Sequence, residues 1–243
     1  MLEQNVEFPA IKTINLSKQF DHIKAVNSVN LEIQTPQVYA LIGPNGSGKT
    51  TLIKLLVGLL RPTHGSVSIF GHDILQEGEK AKEMFGYISD DPSPYDYLSG
   101  IEFLTLTGKL RRLPSSVIHD RISELLSLFP IQDIVYQRMG LYSRGNRQKL
   151  AFLAAFIAQP RLLIIDEPIV GLDPTSIDIF GKALKTFARN GGTVFFATHI
   201  LSFAKRYADR VGIMHAGRIA REENISLRVS LDKWYGEEVN KSQ

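Results

Sequence analysis

Apolar residues along this chain fall into two rhythms, and the change from one to the other outlines the fold. Residues 38–42 (Val-Tyr-Ala-Leu-Ile) form a short, unbroken apolar run of the kind that makes a buried strand. Behind it, residues 51–60 carry Leu52, Leu55, Leu56 and Leu59, a spacing that predicts a helix. Further strands are expected at 11–16, 29–33 and 66–70, the last bracketed by Gly65 and Gly71, and at 85–89, where Asp90-Asp91-Pro92-Ser93-Pro94 ends it. From Gly100 to Gln159 the rhythm turns helical, with Ile118, Ile122, Leu125, Leu126 and Phe129 on one face and Pro130 as the stop. Beyond it the pattern predicts a strand at 162–165, an amphipathic helix at 177–189, a strand at 193–198 and a helix at 200–208. A hairpin over 211–220 should turn at His215-Ala216-Gly217. Strands alternating with helices imply an α/β fold with a mostly parallel sheet, preceded by an antiparallel β part. The expected organisation is a single domain, 1–243, with a core from 1–91 and 160–222 and an inserted helical subdomain at 92–159. The polar tail, 223–243, should be short, with Trp234 anchoring it to the surface.

Composition narrows the picture. The chain has 243 residues, 44% apolar and 22% charged, an ordinary globular balance. Its 28 basic and 25 acidic side chains are dispersed and leave a net charge of +3, too little to argue for a nucleic-acid partner. It has no cysteine, which excludes disulfides and thiolate metal sites. The opening Met-Leu-Glu-Gln-Asn-Val-Glu has no apolar core, so no signal peptide is expected. The longest apolar runs fall short of the ~20 residues that span a bilayer, so any membrane role should come through a partner.

The chemistry starts at Gly43-Pro44-Asn45-Gly46-Ser47-Gly48-Lys49-Thr50, which fits G-x-x-x-x-G-K-[ST] between an apolar strand and a helix. Backbone N–H groups of such a loop wrap a nucleotide's phosphates, and its glycines allow dihedrals that a Cβ would forbid. Lys49 would neutralise the β- and γ-phosphates and Thr50 would ligate Mg²⁺, with the helix N-terminus aimed at the anion. The fold class expected is therefore a P-loop NTPase core. Asp166-Glu167, closing the strand at 162–165, supplies its other half. Asp166 would hold the Mg²⁺ and Glu167 would act as general base on the attacking water. The alternative is a pair of acidic residues capping the next helix. Tyr142-Ser143-Arg144-Gly145-Asn146-Arg147-Gln148-Lys149 opens another helix, with Ser143 as N-cap and Leu150, Leu153, Ala154 and Ile157 on its apolar face, and forms a second anion-binding turn. Gly171-Leu172-Asp173-Pro174 follows Glu167 closely. His199, after the strand at 193–198, could reach a γ-phosphate or be a structural or surface residue.

In this order the pieces resemble the nucleotide-binding subunit of ATP-binding cassette (ABC) transporters, over about residues 11–222. The turn at 142–146 is similar to that family's signature, usually L-S-G-G-Q. Ser143 and Gly145 match, whereas Tyr142, Arg144 and Asn146 depart in a form similar to bacterial ABC-2 exporters. The resemblance implies that ATP is held by Gly43 to Thr50 together with Thr51, and that Ser143 and Gly145 bind the γ-phosphate of ATP on the other protomer. It makes Asp173 an interface aspartate and His199 a switch histidine, and gives Lys49, Glu167 and His199 the catalytic roles. Phe20 falls where the family stacks an aromatic on adenine, with core packing as its alternative. Where the family usually has Gln or Glu after residues 86–89, this chain has Asp90, which keeps an oxygen ligand for Mg²⁺ but is one methylene shorter. The function implied is ATP hydrolysis that powers export through a separate transmembrane permease subunit. A second ATPase subunit, in a homodimer, would complete each site. The chain would sit at the cytoplasmic face of the cell membrane, with the permease docked near residues 90–97. The alternatives are a soluble ABC protein acting on ribosomes or DNA, a nucleotide-gated module with little turnover, and a small-molecule kinase, which would leave residues 143–148 without a role.

Overall fold

The computed structural model describes residues 8–91, 95–129, 131–225 and 231–240. Two long antiparallel strands, β1 (Ile11–Phe20) and β2 (Ile23–Ile33), pair from Ile11↔Ile33 to Phe20↔Ile23. Both outrun the segments their alternation predicts, because register shifts between Thr13 and Gln19 break the period-two pattern without ending the pairing. After β3 (Val38–Ile42) comes α1 (Lys49–Leu56), then β4 (His64–Ile69), β5 (His72–Asp73), α2 (Gly78–Met84) and β6 (Phe85–Ile88). The middle of the chain is helical, with α3 (Gly100–Leu110), α4 (Ser115–Leu126), a 3₁₀ turn (Met139–Leu141) and α5 (Arg144–Phe156). The remainder alternates: β7 (Leu162–Asp166), α6 (Pro174–Arg189), β8 (Thr193–Thr198), α7 (Leu201–Tyr207), β9 (Arg210–His215), β10 (Arg218–Asn224) and α8 (Leu231–Asn240).

Two sheets result. One is antiparallel, in the order β2-β1-β4-β5, and the other runs β10-β9-β3-β8-β7-β6 with every pairing parallel except β10 with β9. Strand β3 shows why its sequence is apolar at each position. Tyr39 and Leu41 face a core shared with β1, β2, β4 and α1, while Val38, Ala40 and Ile42 face a second core shared with α5, α6 and α7. A strand covered on both faces loses the alternation that marks a half-exposed one. Helices α3–α5 belong to that second core, through Leu104, Ile118, Ile122, Leu150 and Leu153.

Several boundaries move from their predicted places. Helix α1 starts at Lys49 and ends at Leu56, since Gly58 at φ +74° turns the chain out, and Leu59 is left 62% exposed. Helix α4 stops at Leu126, which is only partly buried. Phe129 is buried beyond the helix, and Pro130 lies outside the described residues. Helix α6 begins three residues early because Asp173 caps it, with Pro174 in its first turn. The tail forms α8, with Leu231 buried and Trp234 held 4.1 Å beneath the Arg221 guanidinium.

Candidate functional site

Parallel strands β3, β7 and β8 end at one edge of the large sheet, and the loops leaving them supply most of the site. The loop after β3 is shaped by three glycines. Gly46 and Gly48 sit at φ +77° and +107°, and a Cβ on Gly48 would run into the Ala25 carbonyl, as one on Gly43 would into that of Met214. The turn between β9 and β10 braces the loop, Gly217 N–H donating to Ser47 O at 3.0 Å. Gly48 caps α1 without a side chain, so the first N–H groups of the helix are left to an incoming acceptor. Lys49 is buried, and its ammonium donates to the carbonyls of Gly43 (2.8 Å) and Pro44 (3.1 Å). Burial lowers its pKa, opposed by the negative charges of Glu167 and Asp166.

Asp166, the last residue of β7, is fully buried, and neither carboxylate oxygen makes a hydrogen bond of good geometry. Burial pushes its pKa up to about 6. The neighbouring Thr50 hydroxyl and Lys49 pull the other way, while Asp90 and Glu167 add to the rise. A buried carboxylate without partners is costly, and it is a ready ligand for a cation. Among the described residues no three His, Cys, Asp or Glu side chains gather closely enough to hold a metal unaided. Asp166 and the Thr50 hydroxyl therefore fit a cation whose remaining ligands come from a phosphate or water.

Glu167 continues the ladder, its N–H donating to Ala197 O at 2.9 Å, and then turns sharply at φ +48°. Its carboxylate is fixed on both oxygens. Thr198 Oγ1 donates to one at 3.2 Å, and His199 Nδ1 lies 2.9 Å from the other. His199 is thus paired with Glu167 rather than standing alone on the surface. Capping does not explain Asp166-Glu167, because Asp173 caps the next helix.

One cleft of about 470 Å³ brings Asn45, Gly46, Gly48, Lys49, Thr50, Thr51, Asp90 and Glu167 together. Ile23, Lys24 and Ala25 from β2 and the turn residues Ala216 and Gly217 also line it. No motif marks those five; the pairing of β9 with β3 brings the turn to the loop, and the Asn27 N–H on Gly217 O at 2.8 Å ties β2 to that turn. Asp90 is turned onto its own loop, its Oδ1 accepting the Asp91 N–H at 2.9 Å. Phe20 is not among the lining residues. It is 45% exposed at the end of β1, with the Lys18 ammonium 5.1 Å over its ring, so core packing is excluded.

Ser143, Gly145 and Asp173 do not line this cleft either. Ser143 is exposed and caps α5, its Oγ accepting the Asn146 N–H at 3.3 Å. The turn behind it is tied down by side chains. Arg147 donates to the carbonyls of Gly140 and Tyr142 and pairs with Asp96, buried Gln148 reaches Pro168 O at 3.4 Å, and Lys149 pairs with Asp173 at 3.3 Å. Ser176, through its hydroxyl and its N–H, holds the Asp173 carboxyl well below the usual carboxylate range, with Lys149 assisting.

A family model described as ABC transporter matches residues 26–170. The bacitracin transport ATP-binding protein BcrA of Enterococcus faecalis is 37% identical over 217 residues, covering 89% of this chain and 70% of that protein. The daunorubicin/doxorubicin resistance ATP-binding protein DrrA of Streptomyces peucetius is 33% identical over 88% of this chain and 64% of its own length. The solved ATP-binding subunit of an ABC transporter superposes with a TM-score of 0.88 at 30% identity, over 94% of this chain and 98% of that one. A dimeric ATP-binding cassette bound to ADP and Pi superposes with a TM-score of 0.82 over 89% of this chain and 99% of that one; at 23% identity it shows the fold alone.

Proposed function

Because the chain belongs to the ABC transporter family, as an ATP-binding and ATP-hydrolysing subunit, we propose that it powers export through a separate transmembrane subunit. The observation that carries the ATPase chemistry is the single cleft in which Lys49, Thr50, Asp90 and Glu167 meet, backed by the unpartnered Asp166. Lys49 would exchange the carbonyls of Gly43 and Pro44 for the β- and γ-phosphates, while the N–H groups at the start of α1 hold the rest of the chain of phosphates. Thr50 and Asp166 would hold Mg²⁺, with Asp90 as a further oxygen ligand; bound there, the ion would offset phosphate charge. Glu167 takes the proton of a water whose oxygen bonds to the γ-phosphorus as the bond to the bridging oxygen breaks, leaving ADP and phosphate. Thr198 and His199 hold the Glu167 carboxylate, and would fix it for that transfer, with His199 following the γ-phosphate.

The exposed Ser143, outside the cleft of its own chain, supports a site completed by a second copy, in which Ser143 and Gly145 of one protomer meet the phosphates on Lys49 of the other. Asp173 would lie at that interface, and Phe20, exposed at its strand end, would be free to stack on adenine. No described helix is long and apolar enough to cross a membrane. The chain would work at the cytoplasmic face, docked on its permease near residues 90–97. Tyr95 and Tyr97 are exposed there, and residues 92–94 lie outside the described part. The names of BcrA and DrrA, bacitracin transport and drug resistance, favour export over import. The inward turn of Asp90 favours, as a second reading, a nucleotide-gated module of low turnover.

Glu167→Gln should keep ATP binding and slow phosphate release by roughly 10²–10⁴-fold. An unchanged rate would remove Glu167 from the mechanism, and a low wild-type rate with strong ATP binding would favour the gated module.

A further inference from the structure

Asp90 and Arg144, two departures from the usual family pattern, touch each other although 54 residues separate them. Arg144 opens α5, and its Nη2 donates to the Asp90 carbonyl oxygen at 3.4 Å. Its aliphatic stem lies on Gly171, where an added Cβ would stand 3.2 Å from Arg144 Cγ and 3.3 Å from its Cδ. Gly171 sits at φ +85° in the loop that begins at Glu167, and the same loop is fastened to α5 once more by Gln148 on the Pro168 carbonyl. Arg144 therefore has its stem on the loop of Glu167 and its head on the loop of Asp90, and both of those carboxylates line the nucleotide cleft. A glycine at this position could make neither contact.

We infer that Arg144 is a positioning residue for the nucleotide site, a strap between the Glu167 and Asp90 loops that sets where the shorter aspartate presents its carboxylate. The strap fixes the backbone that carries Asp90. A hydrogen bond from a charged donor to a carbonyl is strong enough to order a short loop and weak enough to release it. The metal side of this inference rests on the reading of Asp90 as a cation ligand; the strap itself does not.

Two measurements separate them. Hydrogen exchange at residues 88–91, without nucleotide or metal, should quicken roughly three- to ten-fold in Arg144→Ala, from loss of one hydrogen bond. Arg144→Lys, which keeps the stem and a donor, should restore most of the protection. In a Glu167→Gln background, the Mn²⁺ concentration giving half of the thermal protection by ATP should rise by a similar factor in Arg144→Ala. It should not rise further when Asp90→Ala is already present, because no carboxylate is left to position. Unchanged exchange in a folded Arg144→Ala chain would overturn the strap. Faster exchange with the same Mn²⁺ rise in both backgrounds would overturn the route through Asp90. Faster exchange with no Mn²⁺ change would overturn the positioning role together with Asp90 as a ligand, leaving the ATPase assignment standing.

Discussion

The turn ending at Lys49 and the turn beginning at Tyr142 each deliver a glycine-bearing segment to a helix N-terminus, α1 in one case and α5 in the other. They are built in opposite ways. The first is backbone architecture: two glycines at positive φ, close carbonyls from Ala25 and Met214, and a lysine folded onto its own loop. The second is held by side chains, with Arg144 and Arg147 reaching the loop between β6 and α3, and Gln148 and Lys149 the loop between β7 and α6, while Ser143 stays exposed. In the proposed function the first receives phosphate by itself. The second, outside its own chain's cleft, has the form of a surface offered to another molecule.

That contrast breaks most sharply under substitution. Lys49→Ala should abolish the protection that ATP gives a single chain against thermal unfolding. Ser143→Ala should leave that protection intact, although loss of the cap costs the helix about 1 kcal/mol. Equal loss of monomer binding in both would erase the distinction.

Asp166 gives the next largest effect, and it separates stability from function. Burial raises its pKa from 3.8 to about 6, so the folded chain holds this proton more tightly than the unfolded chain. That contribution is complete below about pH 4 and is lost as pH rises through 6. Without nucleotide or cation, Asp166→Asn should therefore be more stable than wild type at about pH 7.5, by on the order of 1–3 kcal/mol. Calorimetry should show the gap closing between about pH 6 and pH 4, while hydrolysis by the variant is lost. A variant less stable at neutral pH would show that Asp166 has a partner that offsets its burial.

The same contrast explains what could be read in the sequence. The phosphate loop, β3, β7 and β8 were legible because strand, glycine turn and helix follow one another within a few residues and each is fixed locally. Ser143 as a cap is legible for the same reason; Asp173 as the cap of α6 is not read from the sequence, because the first apolar residue, Ile177, is not the first helical one. Leu59 misled because helical spacing ran past Gly58, where the backbone had already turned. Helix α8 is hard to read although Leu231, Trp234 and Tyr235 stand at helical spacing, because the polar tail carries only this one short apolar group and no second turn repeats it. Contacts over 54 residues, such as Arg144 with Asp90, leave no periodic trace at all.

The smallest expected effect lies at the seam between the two regions. Asp90→Gln lengthens the side chain by one methylene and loosens its bond to the Asp91 N–H. Phosphate release should stay level or rise, with a Mg²⁺ requirement lower by a few-fold, about the worth of one hydrogen bond. A large loss of activity would mean that the inward turn of Asp90 is itself required.

The central claim is that each ATP site is divided between two chains, and mixing two defective chains tests it most directly. Lys49→Ala and Ser143→Arg, each carrying Glu167→Gln, should fail to trap ATP alone. In a mixed dimer both lesions fall in one site, and the other keeps an intact phosphate loop and an intact signature turn. Mixing at high concentration should restore ATP trapping at one site per dimer. No trapping at any ratio, from variants shown to fold, would contradict a site shared between two copies of this chain.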